Sequence, residues 1–242
     1  MSLERILQSQ GFGSRRECRA LVQAGRVAVS EAICDDPDCL FDVQALSFSV
    51  DGDPWPYEKL LYLALNKPAN YECSHKPKHH PSVFSLLPKP FIERGVQSVG
   101  RLDEDTTGLL LLTDDGQFIH TYSSPKKKIP KRYVITLKHP ADEAQINALL
   151  TGVQLHDEPS PIVAAGCVQI SEHVIHLTVT EGKYHLVKRM VAATGNRVEA
   201  LHRSTIGGFE LPETLAPGSW MRLSADDLTR LATRLAPAAE SA

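Results

Sequence analysis

The sequence has no long apolar run, no paired-cysteine motif, no glycine-rich phosphate loop and few aromatic residues. Each absence removes a class of protein. The chain has 242 residues, and its longest apolar stretches are six or seven residues, such as Leu60–Leu65. A membrane-spanning helix needs about 20. The opening MSLERILQSQ carries charges and glutamines where a secretory signal would be apolar, so a cytoplasmic location is expected. Cys18, Cys34, Cys39, Cys73 and Cys167 are odd in number and contain no C-x-x-C pair. They read as reduced and mostly buried thiols. No internal repeat is visible. The aromatic fraction is 6% and the net charge −3, which argues against a generic polyanion binder. A chain of this length can bury about 70% of its unfolded surface and needs neither metal nor disulfide to fold.

Charge is abundant but uneven. Residues 1–30 carry five bases and two acids, and residues 31–58 carry eight acids and no Lys or Arg. Residues 59–140 return to 13 bases against seven acids. This predicts separate basic and acidic faces, one of them suited to phosphates.

Residues 1–58 read as a small domain of their own. Leu3, Ile6 and Leu7 have helical spacing. Ser14-Arg15-Arg16-Glu17 is a capping box for a second helix that carries Cys18, Leu21 and Val22 inward and stops at Gly25. Strands are predicted at Arg26–Val29, Leu40–Val43 and Leu46–Val50, with a turn and linker over 51–56. Residues 59–235 read as a second domain of α+β class with a largely antiparallel mixed sheet. Strands are expected at 60–65, 109–113, 133–137, 162–170 and 173–180, with helices at 141–150 and 185–194. The tail, 236–242, reads as disordered.

The segment Gly100-Arg101-Leu102-Asp103-Glu104-Asp105-Thr106-Thr107-Gly108, followed by Leu109–Thr113, is the most unusual. Its acids could simply cap a turn. They could form a calcium loop, since Asp103, Asp105, Thr107, Gly108 and Asp114 fall at positions 1, 3, 5, 6 and 12 of that template. Leu111 and a short final Asp fit that template badly. The third reading is a catalytic carboxylate at the mouth of a strand. Cys73 with His75, His79 and His80 matches no familiar four-ligand zinc spacing.

This segment resembles the nucleophile motif of pseudouridine synthases, and more narrowly that of the RsuA branch acting on ribosomal RNA. Lys131–Leu137, Glu181–Met190 and Val198–Arg203 with Ile206-Gly207-Gly208 resemble further motifs of that family in the same order. Gly13–Glu17 with Ala24–Val29 resembles the S4 RNA-binding module that the branch carries. Two departures stand out. Ser30-Glu31-Ala32 replaces the usual Asn-Gly or Asp-Gly turn, and Leu186 replaces a common glutamine.

The resemblance implies an S4-like module joined to a synthase domain that isomerises uridine, most closely uridine 516 of 16S rRNA. Alternatives are a large-subunit (23S) enzyme of the family and a non-catalytic RNA-binding or assembly protein. It implies Asp103, Tyr133 and Lys188 as the catalytic set: the carboxylate, the ring that stacks on uracil, and the cation that keeps Asp103 ionised. Arg101, Leu102 and Leu201 would line the substrate pocket. Arg15, Arg16, Arg19 and Arg26 in the module, and Lys76, Lys78, Lys126, Lys127, Lys128 and Lys131 in two basic loops, would touch RNA. The reaction needs no cofactor or metal. The expected partner is ribosomal RNA or a subunit assembly intermediate, not a membrane, and the expected state is a monomer.

Overall fold

The computed structural model describes residues 1–233. The tail at 236–242 lies outside the described residues. The chain divides into two compact units, Met1–Leu61 with Leu87–Gln97, and Tyr62–Leu86 with Ser98 onward. The division falls close to the predicted boundary at 58/59. It differs in counting 87–97, a stretch predicted inside the second domain, with the first unit.

In the first unit, α1 (Leu3–Ser9) and α2 (Arg15–Gln23) pack on the sheet β2-β1-β3-β4. Its strands are β1 (Val27–Val29), β2 (Ala32–Ile33), β3 (Ser47–Val50) and β4 (Asp53–Pro56). The capping box forms as predicted: Ser14 N donates to the Glu17 carboxylate at 2.7 Å and Glu17 N donates to Ser14 Oγ. Leu3, Ile6, Leu7, Cys18, Val22, Val27 and Phe48 make the core. The helix α3 (Lys89–Glu93) belongs here because its neighbours hold it: Phe91 meets Trp55 edge-on at 5.8 Å, and Arg94 donates to Gln10 Oε1 at 2.8 Å.

Three local expectations are corrected. Leu40–Val43 is not a strand; Leu40 makes a lone bridge to Ser2 and is otherwise exposed. The supposed linker at 51–56 is a tight hairpin, with Asp51 (φ 54) and Gly52 (φ 89) turning β3 into β4. Its prolines, Pro54 and Pro56, suit an edge strand. The strand β2 was not foreseen, because its turn uses unfavoured residues. Ser30 (φ 50) and Glu31 (φ 68) both adopt left-handed backbone between paired Val29 and Ala32. That is the positive-φ, two-residue hairpin usually built by Asn-Gly.

The predicted segregation into basic and acidic faces does not hold within this unit. Arg19 forms a two-pronged pair with Asp38 at 3.0 Å, and Arg26 forms another with Asp51 at 2.6 Å. Buried Glu4 receives Arg19 at 2.7 Å and Arg15 at 2.9 Å.

The second unit is built on the sheet β13-β5-β7-β11-β8-β10-β9. Its strands, with short β6 (Gln97–Ser98), are β5 (Tyr62–Lys67), β7 (Thr107–Thr113), β8 (Lys131–Leu137), β9 (Gly166–Ser171), β10 (Val174–Val179), β11 (Val198–Ile206), β12 (Phe209–Glu210) and β13 (Trp220–Arg222). Along this path only β7 and β11 run parallel; the other neighbours are antiparallel, as expected. The helices are α4 (Gly116–Ser123), α5 (Glu143–Thr151), α6 (Leu186–Ala193) and α7 (Ala225–Ala232). The Asp114-Asp115-Gly116 turn proves to be a helix start: Asp115 caps α4 by accepting from Gln117 N and Phe118 N.

The Ser30-Glu31 turn yields a stability prediction. Two non-glycine residues in left-handed backbone cost about 1 kcal/mol each. The double change Ser30→Asn, Glu31→Gly should recover about 1 kcal/mol locally. Hydrogen exchange at Cys34 N, which bonds Val27 O across the hairpin, should slow about fivefold. Unchanged exchange would show that the turn carries no strain.

Candidate active site

The site grows from one close approach. Thr107 and Gly108 open β7 and pair in parallel with His202 and Arg203 of β11. Gly108 has φ 99, and a Cβ there would clash with Arg203 O and lie 2.9 Å from Arg203 N. A side chain at 108 would push the two strands apart. The Gly100–Thr106 loop is thereby delivered against the face of β11 and β8. On that face Lys131 and Tyr133 alternate along β8, with Leu201 and Arg203 along β11; Tyr133 lies directly opposite Arg203.

The loop is anchored from below. Lys67, at the end of β5, is fully buried, and its ammonium donates to the carbonyls of Pro68 (3.0 Å), Glu104 (3.0 Å) and Thr106 (2.8 Å). Burial pushes its pKa below the usual lysine value, against the pull of nearby acids. Asn70 N also bonds Glu104 O at 2.8 Å, and Thr106 N bonds Asp103 O at 3.1 Å. The carbonyls are turned inward to Lys67, and Asp103 is left at the cavity mouth.

Asp103 is about 29% exposed and stands between two nitrogen groups. His185 Nε2 is 3.3 Å from Oδ1, and Lys188 Nζ is 3.4 Å from Oδ2. Lys188 lies closer to Asp105, at 2.7 and 2.8 Å from its two oxygens. Burial opposes the Lys188 charge, but the hydrogen bond to Asp105 and both carboxylates raise its pKa on balance. Burial likewise works against Asp105, and Lys188 outweighs it, so the Asp105 carboxyl titrates low. The lysine thus sits among the acids that the calcium-loop reading would have used.

Asp103, Tyr133, Lys188, Arg101, Leu102 and Leu201 all line one cavity. Tyr133 (9% exposed), Leu201 and Leu102 are buried. Lys131 is not in a loop as expected: it is the first residue of β8 and lines the same cavity. Burial and the Arg203 guanidinium push it down to about 8. The other proposed RNA contacts lie outside this cavity. Lys126 and Lys127 sit in a short 3-10 turn that ends at left-handed Lys128. Lys76 and Lys78 are exposed on a loop wrapped round Glu72, whose carboxylate takes the backbone N–H groups of His79, His80 and Lys78 and is held to about 2.

Sequence reasoning missed His185, Asp105, Lys67 and Arg203 as site residues. His185 could have been found from its spacing: it precedes Lys188 by three, so both project from one side of the α6 start. Exposed Tyr184 stacks on it, with centroids 3.7 Å apart.

Residues 61–193 match the family model described as RNA pseudouridylate synthase. The chain is 38% identical over 232 residues to ribosomal small subunit pseudouridine synthase A of Yersinia pestis, covering 94% of this chain and 97% of that one. It is 36% identical over 231 residues to the uncharacterized RNA pseudouridine synthase YtzG of Bacillus subtilis (strain 168), with 94% and 97% covered. A crystal structure of a pseudouridylate synthase superposes with a TM-score of 0.68 at 32% identity, covering 96% of this chain and 99% of that one.

The Lys67 anchor can be tested without any substrate. Lys67→Met keeps the volume but takes the ammonium from three inward carbonyls, of which only Glu104 O keeps a second described donor, Asn70 N. It should cost about 3 kcal/mol in urea unfolding. A loss below about 1 kcal/mol would mean the loop holds its shape without the lysine.

Proposed function

The chain belongs to the RNA pseudouridine synthases, and we propose that its substrate is ribosomal RNA of the small subunit, with uridine 516 of 16S rRNA as the target. The enzyme converts uridine to pseudouridine: the C1′–N1 bond breaks, the base turns, and C5 joins C1′. The observation that carries the catalytic reading is the placement of Asp103 between His185 and Lys188, over a cavity floored by Tyr133 and Leu201. A carboxylate held between a lysine ammonium and an imidazole at a pocket mouth can attack the sugar or take its proton. Tyr133 and Leu201 offer flat apolar surface to a base flipped from the RNA. Lys188, shared between Asp103 and Asp105, places a positive charge 3.4 Å from the Asp103 carboxylate.

The small-subunit assignment is supported by relatives at 38% and 37% identity whose names carry that substrate. The first unit, with its helix-borne arginines, is proposed as an S4-like module that grips RNA phosphates. We assign the enzyme to the cytoplasm, acting as a monomer on an assembling subunit. Carbodiimide-based sequencing of rRNA from cells with and without the gene tests the target directly. Loss of the signal at uridine 516 supports the assignment, and loss in 23S rRNA would overturn it.

Asp103→Asn should abolish tritium release from 5-tritiated uridine RNA while RNA affinity changes by less than about tenfold, or about 1.4 kcal/mol. Lys188→Arg should retain measurable activity and Lys188→Met lose most of it. Equal rates across wild type and both Lys188 variants would reduce this lysine to a structural partner of Asp105.

The module's arginines are unequal. Arg19 and Arg26 already hold carboxylates, whereas exposed Arg16 has no carboxylate partner among the described residues. Arg16→Ala should flatten the slope of log affinity against log salt by about 0.7–0.9. Arg26→Ala should change it less, since Asp51 already neutralises Arg26 and leaves it little attraction to give to a phosphate. The saturated single-turnover rate should stay unchanged in both. Identical slopes in wild type and Arg16→Ala would show that this face does not touch phosphate.

A further inference from the structure

Among the described residues, two buried side-chain polar atoms have no hydrogen-bond partner: Thr106 Oγ1 and Arg203 Nη2. Both residues line the cavity that holds Asp103. Thr106 is 1% exposed and Arg203 2%. The guanidinium is fixed in place, since its Nε donates to Leu109 O at 2.8 Å across the β7–β11 pair. Leaving a buried guanidinium nitrogen and a hydroxyl unpaired is costly, and such groups in a pocket point to a ligand that satisfies them. Lys131 stands on the same face, one alternation from Tyr133, and among the described residues its ammonium bonds only the carbonyl of Ile129, at 3.2 Å. Burial first, and then the neighbouring Arg203 guanidinium, push its pKa down to about 8.

We propose that Arg203, Thr106 and Lys131 form the base-reading wall of this cavity, binding the oxygens of the flipped uracil and holding the negative charge it carries once its bond to the sugar is broken. The inference rests on the synthase reading above and extends it to the base. When the C1′–N1 bond breaks, its electron pair stays on the ring and spreads over N1, O2 and O4. Whether Asp103 attacks the sugar or removes its proton, the charge arrives on the base. Donors fixed beforehand where charge develops stabilise that step most. After the base turns, C5 bonds to C1′, the C5 proton leaves and N1 takes one up, so atoms and charge balance. Asp103 faces the sugar and the wall faces the base, on two sides of the breaking bond. A wall of donors also favours the two carbonyls of uracil over the amino group of cytosine.

The test compares uridine with 5-fluorouridine at the target position of an rRNA fragment. Fluorine withdraws electrons and makes the base a better leaving group, so a variant that has lost charge stabilisation should suffer less with it. The readout is single-turnover disappearance of the starting nucleoside in nuclease digests. Arg203→Gln should slow uridine conversion about a hundredfold and 5-fluorouridine conversion about tenfold or less. The combined Thr106→Val, Lys131→Met protein should show the same narrowing, and it carries the test if Arg203→Gln loses cooperative melting. Equal deficits with both substrates, or rates within about threefold of wild type, would overturn the wall. A wild-type protein that converts no uridine would instead overturn the synthase reading beneath it, so the two failures are distinct.

Discussion

The parallel contact between β7 and β11 is the constraint on which the site depends. Every other neighbouring pair along the main sheet path is antiparallel. This one junction brings a loop from the first half of the unit against strands from the second half. It closes only because residue 108 has no side chain, with Arg203 backbone filling the space a Cβ would take. Parallel pairing sends β7 and β11 the same way, so the loop before β7 opens at the edge where Leu201 and Arg203 emerge. Asp103, on that loop, is therefore set over the β11 face by backbone geometry. Lys67 then fixes the loop from below by turning its carbonyls inward.

The charges around the cavity follow a consistent plan. Lys188 and His185 are spent on the carboxylates, with Asp105 taking the shorter contacts to the lysine. Arg203 and Lys131, on the strands, have no carboxylate partner among the described residues. Lys188 on the helix is matched to the loop carboxylates, and the sheet supplies cations without such a partner among the described residues. A ligand bringing negative charge to Arg203 and Lys131 would supply the anionic partner that these cations lack among the described residues. Binding and catalysis thus draw on the same unmet electrostatics.

Much of this was legible in the sequence, and the limits are physical. Regular periodicity located α1, α2, β3, β5, β7, β8, β10 and α6 to within a few residues. The Asp103 motif was distinctive because acids, threonines and glycine cluster before an apolar strand. Failures came where local sequence contradicts local structure. Ser30 and Glu31 build a turn that glycine and asparagine usually build, so β2 was invisible. Leu40–Val43 has strand composition, yet only Leu40 finds a pairing partner, and it finds one residue. Lys67 and Arg203 looked like ordinary strand cations. Their roles depend on burial and on carbonyls distant in sequence, which no local pattern encodes.

Charge blocks were the most misleading signal, and the reason is instructive. The acidic run 31–58 and the basic run 1–30 appeared to define opposed faces. In the folded unit Asp38 meets Arg19 and Asp51 meets Arg26, so segregation along the chain becomes neutralisation in space. The chain after β2 returns Asp38 to α2, and the hairpin between β3 and β4 returns Asp51 to Arg26, just ahead of β1. Cations already holding carboxylates gain less from a phosphate than free ones, because each must exchange one anion for another. An RNA backbone approaching this unit would therefore meet a surface whose attraction is concentrated on few residues. That favours binding set by shape and register over binding set by bulk charge, in keeping with a chain whose net charge is slightly negative.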